Sequence, residues 1–204
     1  YELDSQLIGT PKESYLREIK EIIMKSTFTY VRQKKMLGLG HAILTGKPLI
    51  GDEPFAVILA DDLCCSDKNS VMSQMIKIYN QYNCSVVAIE EVPISQTSKY
   101  GIITGNLVDK SKDTYQITDM VEKPKETEAP SNMAIIGRYI LTPDIFDILE
   151  KIKTDKSGEI QITDALKVQA KQGKVIGYKF KGKRFDCGSI KGYLEANNYL
   201  AIDL

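Results

Sequence analysis

The sequence lacks an excess of charge of either sign. Its 204 residues include 27 lysines and arginines and 27 aspartates and glutamates. A chain without net charge has no long-range field that would attract nucleic acid or an anionic membrane surface. We therefore predict no nucleic-acid partner, and we expect any phosphate group to be recognised through local contacts.

Long hydrophobic runs are also absent. The longest apolar stretches, such as 55–60, are far shorter than the roughly 20 residues that a membrane-spanning helix needs. The polar start of the chain, Tyr1 to Asp4, does not resemble a signal peptide. These two absences predict a cytoplasmic protein with no membrane partner.

Histidine and paired cysteine are scarce. The sequence has one histidine, His41, so a metal cluster based on histidine is excluded. The cysteines are predicted to be reduced and buried, because they form neither a CxxC pair nor a disulfide framework. They are Cys64, Cys65, Cys84 and Cys187.

The apolar pattern that is present predicts an α/β protein. Hydrophobic side chains make up 43% of the chain, enough for a sizeable core. The continuous apolar run 55–60 favours a strand buried on both faces of a parallel sheet. Helical spacing at 71–82 and a second apolar run at 84–89 complete a predicted β-α-β crossover.

Further elements are predicted on both sides of this crossover. Pro11 precedes an amphipathic helix over 12–25, and Phe28–Val31 has the residues that strands prefer. After residue 100 we expect three strands with antiparallel or edge pairing, then helices and one more strand. These are strands 101–108, 115–123, 134–141 and 175–180, and helices 143–151, 160–172 and 190–200.

Two adjacent acids, Asp61 and Asp62, follow the first predicted buried strand. The C-terminal ends of parallel strands face the crevice where α/β proteins bind ligands, and carboxylate oxygens there can hold a divalent cation. Asp61 is the main metal candidate on this ground. The alternative, that the two acids cap the next turn, remains open at this point.

A Gly-Leu-Gly segment opens another predicted helix at Gly38 to Gly40. Its backbone could approach a flat or anionic group at the helix N-terminus, although a plain tight turn is the alternative. The spacing is not that of a dinucleotide fingerprint, so a nicotinamide cofactor is not expected. The side-chain amide of Gln33 can donate and accept at the same time, which would complement the N3–H and O4 groups of a uracil base. The alternative is a solvated loop side chain.

Two more strand ends carry charged groups. Glu122 and Lys123 end one predicted strand, where the carboxylate could accept sugar hydroxyls and the ammonium could meet a phosphate. Asp186 follows a basic stretch at another strand end and could complete a metal site begun far earlier in the chain. The alternative in both places is ordinary solvated surface charge.

These segments, in this order, resemble the bacterial UTP–glucose-1-phosphate uridylyltransferases of the sugar nucleotidyltransferase superfamily. Each segment is short, but together they span nearly the whole chain. They are Tyr30-Val31-Arg32-Gln33, Gly38-Leu39-Gly40-His41-Ala42, Leu59-Ala60-Asp61-Asp62, Tyr100-Gly101, Val121-Glu122-Lys123-Pro124, Ala129-Pro130-Ser131-Asn132, Gly137-Arg138-Tyr139, Gly158-Glu159-Ile160-Gln161-Ile162-Thr163-Asp164 and Asp186-Cys187-Gly188.

The resemblance implies a Rossmann-like nucleotide-diphospho-sugar transferase fold, with a mixed, mostly parallel sheet flanked by helices. One nucleotidyltransferase domain would cover 1–204, with the rest of the nucleotide-binding half in 1–90 and the sugar-binding half and C-terminal helices in 91–204. The family's first strands and its Gly-rich loop, with a Gly-x-Gly-Thr-Arg core that cradles the triphosphate, would lie upstream of residue 1.

The resemblance also implies a magnesium-dependent reaction of UTP with glucose 1-phosphate that gives UDP-glucose and pyrophosphate. Asp61 and Lys123 would be the catalytic residues. Asp61 would hold Mg²⁺, and Asp186 matches the second metal-binding acid of the superfamily. Gln33 and the Gly38 backbone would bind uracil, and the Gly101 backbone and Glu122 would bind the sugar. Lys123 would bind the phosphates. Asp62 would be a further substrate-binding residue.

Two other functions remain open. A related enzyme would transfer thymidylyl or another nucleotidyl group to a different hexose phosphate, whereas a non-catalytic fragment or scaffold would bind the sugar nucleotide without reaction. Enzymes of this kind are commonly dimers or tetramers, so a homo-oligomer is expected. The helix over 12–25 and the C-terminal helix are the candidate interfaces.

Overall fold

The computed structural model describes residues 2–108 and 112–201. The chain divides into two compact units, Tyr1–Arg32 and Gln33–Leu204, and all candidate site residues belong to the second unit. The expected boundary between a nucleotide half and a sugar half, after residue 90, falls inside a strand of the second unit. That division stays a prediction.

The first unit contains two helices, α1 (Glu2–Leu7) and α2 (Glu13–Met24). The predicted amphipathic helix is confirmed as α2, which buries Leu16. An ion pair of 2.5 Å between Lys20 Nζ and Asp4 Oδ1 ties α2 to α1. Several other apolar side chains of α2 are exposed to solvent.

The strand predicted at Phe28–Val31 is wrong. Residues 26–33 have no regular secondary structure, and the side chains of Phe28 and Tyr30 are 58% and 90% exposed. Aromatic and β-branched residues favour a strand only where a partner and a half-buried face are available. Here both aromatic side chains lie in solvent instead.

The second unit alternates helices with strands, and the elements predicted after residue 100 are all present. Their bounds differ from the predicted ones by at most two residues. The helices are α3 (Gly38–Thr45), α4 (Lys47–Ile50), α5 (Val71–Tyr82), α6 (Asp144–Leu149), α7 (Ile162–Lys171) and α8 (Ile190–Leu200). The strands are β1 (Phe55–Ile58), β2 (Asp62–Cys65), β3 (Ser85–Glu91), β4 (Gly101–Leu107), β5 (Thr114–Glu122), β6 (Met133–Leu141), β7 (Val175–Lys179) and β8 (Lys183–Asp186).

A six-stranded mixed sheet in the order β1-β6-β3-β7-β5-β4 is central to this unit, which confirms the α/β fold class. The expected mostly parallel pairing is wrong. Among the described strands, only β3 and β7 are parallel neighbours, and the other neighbouring pairs are antiparallel. The reason is that β5 and β6 run opposite to the other four strands and lie between them.

The predicted β-α-β crossover joins β1 to β3 through α5. Both strands pair antiparallel with β6, so they run in the same direction, but β6 lies between them. β3 is buried as predicted. β1 is not buried on both faces, because it is an edge strand whose residues alternate between partly buried and exposed.

The core lies on both faces of the sheet. Along β3, Val87 and Ile89 pack with residues of α6 and α7 on one face, while Val86 and Ala88 pack with residues of α5 on the other. This alternation follows from the two-residue period of side chains in a strand. Helices on both faces hold the strands in place and so fix the positions of the strand ends.

A separate two-stranded sheet, here called the ribbon, consists of β2 and β8. The strands pair antiparallel, with Asp62 opposite Asp186 at one end and Cys65 opposite Lys183 at the other. The ribbon brings two acidic strand ends together although they are far apart in the chain. It therefore determines the geometry of the candidate metal site.

The described residues include no helix that is both long and apolar enough to cross a membrane. The four cysteines are free, as predicted, but each is only half-buried. Burial raises the pKa of the Cys64 thiol to about 11, so this thiol is protonated near neutral pH.

Candidate active-site cleft

A cleft of about 360 Å³ opens where several strand ends of the second unit meet. Its lining includes residues from the ribbon, from the start of β4 and from the end of β5. Six of the residues singled out in the sequence therefore share one cleft, namely Asp61, Asp62, Gly101, Glu122, Lys123 and Asp186.

Asp61 and Asp186 each have a carboxylate oxygen beside Gly188. The backbone N–H of Cys187 donates to the carbonyl of Asp61 at 2.7 Å, which holds the two segments together. A Cβ atom built on Gly188 would lie 3.3 Å from Asp61 Oδ2 and 3.2 Å from Asp186 Oδ1. The glycine thus leaves open a small space that both oxygens border.

This donor set fits magnesium. Mg²⁺ binds through one or two carboxylates and keeps further positions for water and substrate phosphate oxygens. Asp61 and Asp186 supply two such carboxylates beside Gly188. Residues 2–108 and 112–201 contain no cluster of three or more His, Cys, Asp or Glu residues, so a closed cage of protein ligands is absent from this part of the chain.

Asp62 differs from its neighbour because its side chain is buried and engaged. Its Oδ2 accepts a hydrogen bond of 2.5 Å from the backbone N–H of Gly137, and its Oδ1 accepts one from Arg184 Nε. The carbonyl of Asp62 accepts from Arg138. These bonds support a role in positioning the ribbon, and direct substrate binding by Asp62 stays a prediction.

Arg184 links Asp62 to the candidate metal site. Its Nη1 donates to the hydroxyl of Tyr100 at 3.2 Å, and that hydroxyl donates to Asp186 Oδ2 at 3.4 Å. Burial works to lower the pKa of Arg184, but the hydrogen bond with Tyr100 and the charge of Asp62 outweigh it and raise that pKa. The guanidinium therefore stays charged beneath the cleft.

Glu122 and Lys123 form the opposite side of the cleft. Thr163 Oγ1 donates to Glu122 Oε2 at 2.6 Å, and Lys123 Nζ lies 3.6 Å from Glu122 Oε1. Lys123 has a φ of 44°, a left-handed conformation that is uncommon outside glycine. Its backbone N–H donates to the carbonyl of Tyr100 at 3.0 Å, which stabilises this conformation.

Gly101 lies directly beside this pair. It is opposite Glu122 in the β4–β5 register. A Cβ at Gly101 would lie 3.0 Å from Thr163 Oγ1 and 3.2 Å from Glu122 Oε2, tighter than most Cβ contacts. The absence of a side chain therefore lets a ligand approach the Gly101 backbone and the Glu122 carboxylate together.

Gln33 and Gly38 are near each other but do not line the cleft, whereas the adjacent Leu39 does. Gln33 Nε2 donates to the carbonyl of Gly38 at 3.1 Å and lies 2.9 Å from His41 Nδ1. Gly38 begins α3 as predicted, with a φ of 82°. The uracil contacts expected of Gln33 and Gly38 stay predictions.

Some cleft residues received no role from the sequence. Tyr100, Thr163 and Arg184 all contact candidate site residues. Tyr100 and Thr163 belong to motifs that carry the resemblance, and Arg184 belongs to the basic stretch before Asp186, but none of them was given a role. Tyr139 also lines the cleft and is 5% exposed. Burial, followed by the charge of Glu122, raises the pKa of its hydroxyl, so Tyr139 stays neutral.

The sequence and the fold are both similar to those of known proteins. A family model for nucleotidyl transferase matches residues 7–202. A UTP–glucose-1-phosphate uridylyltransferase of Pseudomonas aeruginosa is 61% identical over 200 residues, which is 98% of this chain and 71% of that protein. The crystal structure of an apo UDP-glucose pyrophosphorylase is 59% identical, with a TM-score of 0.93 over 100% of this chain and 75% of that one. A UDP-glucose pyrophosphorylase complexed with UDP-glucose is also 59% identical, with a TM-score of 0.90 over 95% of this chain and 73% of that one.

Proposed function

The chain belongs to the nucleotidyl transferase family, and within it to the UTP–glucose-1-phosphate uridylyltransferases, and from this premise we propose that it forms UDP-glucose. A phosphate oxygen of glucose 1-phosphate attacks the α-phosphorus of UTP in line. The bond between the α-phosphorus and the bridging oxygen of the pyrophosphate group breaks, and pyrophosphate leaves. No covalent intermediate forms on the protein.

The observation that carries this proposal is the meeting of two kinds of group in one cleft. Asp61 directly precedes β2 of the ribbon and Asp186 ends β8. Glu122 ends β5 and Lys123 follows it, and all four residues line the cleft. A sugar nucleotide has a diphosphate between its base and its sugar. Oxygen ligands for a cation and a lysine near a sugar-binding carboxylate suit that arrangement.

The chemistry requires positioning and charge neutralisation rather than an activated nucleophile. UTP and glucose 1-phosphate are both polyanions and repel each other, so holding them in line supplies much of the rate enhancement. We assign the positioning of the two substrates to Lys123, whose ammonium would contact the phosphates. Asp61 and Asp186 would hold magnesium, which would supply charge neutralisation at the phosphate oxygens when bound.

The sugar and the base are assigned to different parts of the chain. The backbone of Gly101 and the carboxylate of Glu122 would bind the glucose hydroxyls, supported by their proximity beside Thr163. Gln33 and the Gly38 backbone would bind uracil, with Leu39 connecting them to the cleft. Asp62 would contribute to the site mainly by holding Arg184 in position.

Turnover with different nucleotides tests this proposal. Formation of the nucleoside diphosphate glucose from UTP, dTTP or GTP with glucose 1-phosphate and Mg²⁺ is followed by ³¹P NMR. We expect kcat/KM for UTP to exceed that for each competitor by about tenfold or more, because guanine presents a different hydrogen-bonding edge, whereas dTTP adds a 5-methyl group and lacks the 2′-hydroxyl. Binding of UDP-glucose by calorimetry without turnover of any nucleotide would contradict the enzyme function and favour a sugar-nucleotide-binding module.

Thr163→Val tests the sugar-binding assignment. Valine has the shape of threonine but cannot donate to Glu122 Oε2 at 2.6 Å. We expect UDP-glucose binding to weaken by roughly tenfold, because the Glu122 carboxylate is no longer held in place by this hydrogen bond to its charged group. Calorimetric titration with UDP-glucose measures the change.

Thr118→Val is the matched control, since Thr118 is exposed and bonds only the backbone carbonyl of Thr104 at 3.2 Å in the described structure. Its affinity for UDP-glucose should equal that of the parent protein. Equal affinities for all three proteins would show that Thr163 does not hold Glu122 for sugar binding.

Assembly and location remain part of the proposal. Apolar side chains at helical spacing are exposed on α8, with Ile190, Tyr193 and Leu194 at 83%, 56% and 55%. Such a face supports the expected homo-oligomer. Light scattering coupled to size-exclusion chromatography would give its number of subunits. A cytoplasmic location stays a prediction.

A further inference from the structure

A second pocket lies at the other end of the ribbon and is larger than the cleft. Its volume is about 580 Å³, against about 360 Å³ for the cleft. Asp67 is the one acidic residue among the described residues that line it. Four basic residues line it as well, namely Lys68, Lys77, Lys181 and Lys183.

The lysines of this pocket are not neutralised within the part of the chain that the structure describes. No carboxylate of residues 2–108 or 112–201 forms an ion pair with any of the four. The ammonium of Lys183 instead lies over two aromatic rings, 4.6 Å from the centroid of Tyr199 and 4.9 Å from that of Phe185. Like charges gathered around one cavity repel each other, and a bound anion removes that repulsion.

The pocket wall is fixed in place by Gln74 of α5. Its Nε2 donates to the carbonyls of Asn69 and Lys181 at 2.9 and 2.8 Å, and its Oε1 accepts from the backbone N–H of Lys181 at 2.8 Å. The hydroxyl of Tyr178 also donates to Oε1, at 3.3 Å. One side chain therefore joins the loop after β2 to the segment before β8. A preorganised wall lowers the entropic cost of binding a ligand.

We propose that this pocket binds a ligand with two or more linked phosphate groups, at a site separate from the cleft. Lysine ammonium groups bind phosphate as point charges, and several around one cavity favour a multiply charged anion over a single phosphate. The two sites lie at opposite ends of the ribbon, because Asp62 pairs with Asp186 and Cys65 pairs with Lys183. The proposal does not depend on which reaction occurs in the cleft.

The test is an NMR titration of the ¹⁵N-labelled protein with sodium pyrophosphate in metal-free buffer. We expect the amide signals of 66–69 and 181–183 to shift and to reach saturation. The double variant Lys68→Gln/Lys181→Gln should bind about tenfold more weakly or worse, since it loses two charge-assisted contacts. The control Lys151→Gln/Lys171→Gln removes two exposed charges outside the pocket and should bind like the parent protein.

Three results would overturn the proposal. They are the absence of saturable shifts at these amides, an unchanged dissociation constant in the pocket variant whose spectrum shows a folded protein, and equal shifts with sodium chloride at matched ionic strength. UTP and UDP-glucose carry linked phosphates too and should shift the same amides. Shifts with either nucleotide but none with pyrophosphate would mean that the base or sugar is recognised, which also contradicts the proposal.

Discussion

The Asp61→Asn variant is expected to lose turnover by about a thousandfold or more. The amide keeps the shape of the side chain but removes the negative charge from one of the two oxygen donors beside Gly188. A cation that neutralises reacting phosphates stabilises the transition state by several kcal/mol, and each 1.36 kcal/mol is tenfold in rate. UDP-glucose formation at saturating UTP, glucose 1-phosphate and Mg²⁺ measures the loss.

The same variant should keep its fold. Asp61 is exposed, so the free energy of unfolding should change by no more than about 0.5 kcal/mol. Asp52→Asn is the matched control, an exposed acid in the turn before β1, and should retain full turnover. Full turnover in Asp61→Asn would remove Asp61 from the metal site.

The Arg184→Met variant is expected to lose about 3 to 5 kcal/mol of unfolding free energy. The side chains of Arg184 and Asp62 are each 8% exposed, so the substitution leaves a buried carboxylate without its cationic partner. Removing one member of a buried ion pair has this large effect because the other charge stays desolvated. Urea unfolding followed by circular dichroism measures the change.

Two further variants distinguish the effect of the unpaired buried charge from a nonspecific loss of stability. Arg184→Met/Asp62→Asn should recover part of the loss, because no buried charge is left without a partner. Lys191→Met breaks an exposed pair with Glu195, whose side chains are 87% and 57% exposed, and should change stability by less than about 1 kcal/mol. An Arg184→Met protein as stable as Lys191→Met would show that Asp62 does not depend on Arg184.

Local patterns predicted many elements of the second unit but not how they pair. The apolar run that became β3 and the helical spacing of α5 are properties of short segments, so they were visible in the sequence. The insertion of β6 between β1 and β3 pairs residues at least 42 positions apart, such as Glu91 with Met133, and no local period encodes such a pairing. That insertion is why the sheet is mixed rather than mostly parallel.

The same limit applies to the site. Asp61, Glu122 and Asp186 were named because each is a charged group at the end of a strand, and the resemblance gave their roles. The sequence made Asp61 the metal candidate, but no local pattern showed that Asp62 would be buried. The difference is that Gly137 and Arg184, from distant segments, occupy both carboxylate oxygens of Asp62.

The most direct measurement is a crystal structure with UDP-glucose and Mn²⁺. Mn²⁺ replaces Mg²⁺ because its anomalous scattering locates the ion. We predict one anomalous peak between Asp61 Oδ2 and Asp186 Oδ1, the diphosphate beside Lys123, and the glucose against Gly101 and Glu122. A peak away from these two carboxylates, with the sugar nucleotide bound on another surface, would contradict the assignment of the cleft as the active site.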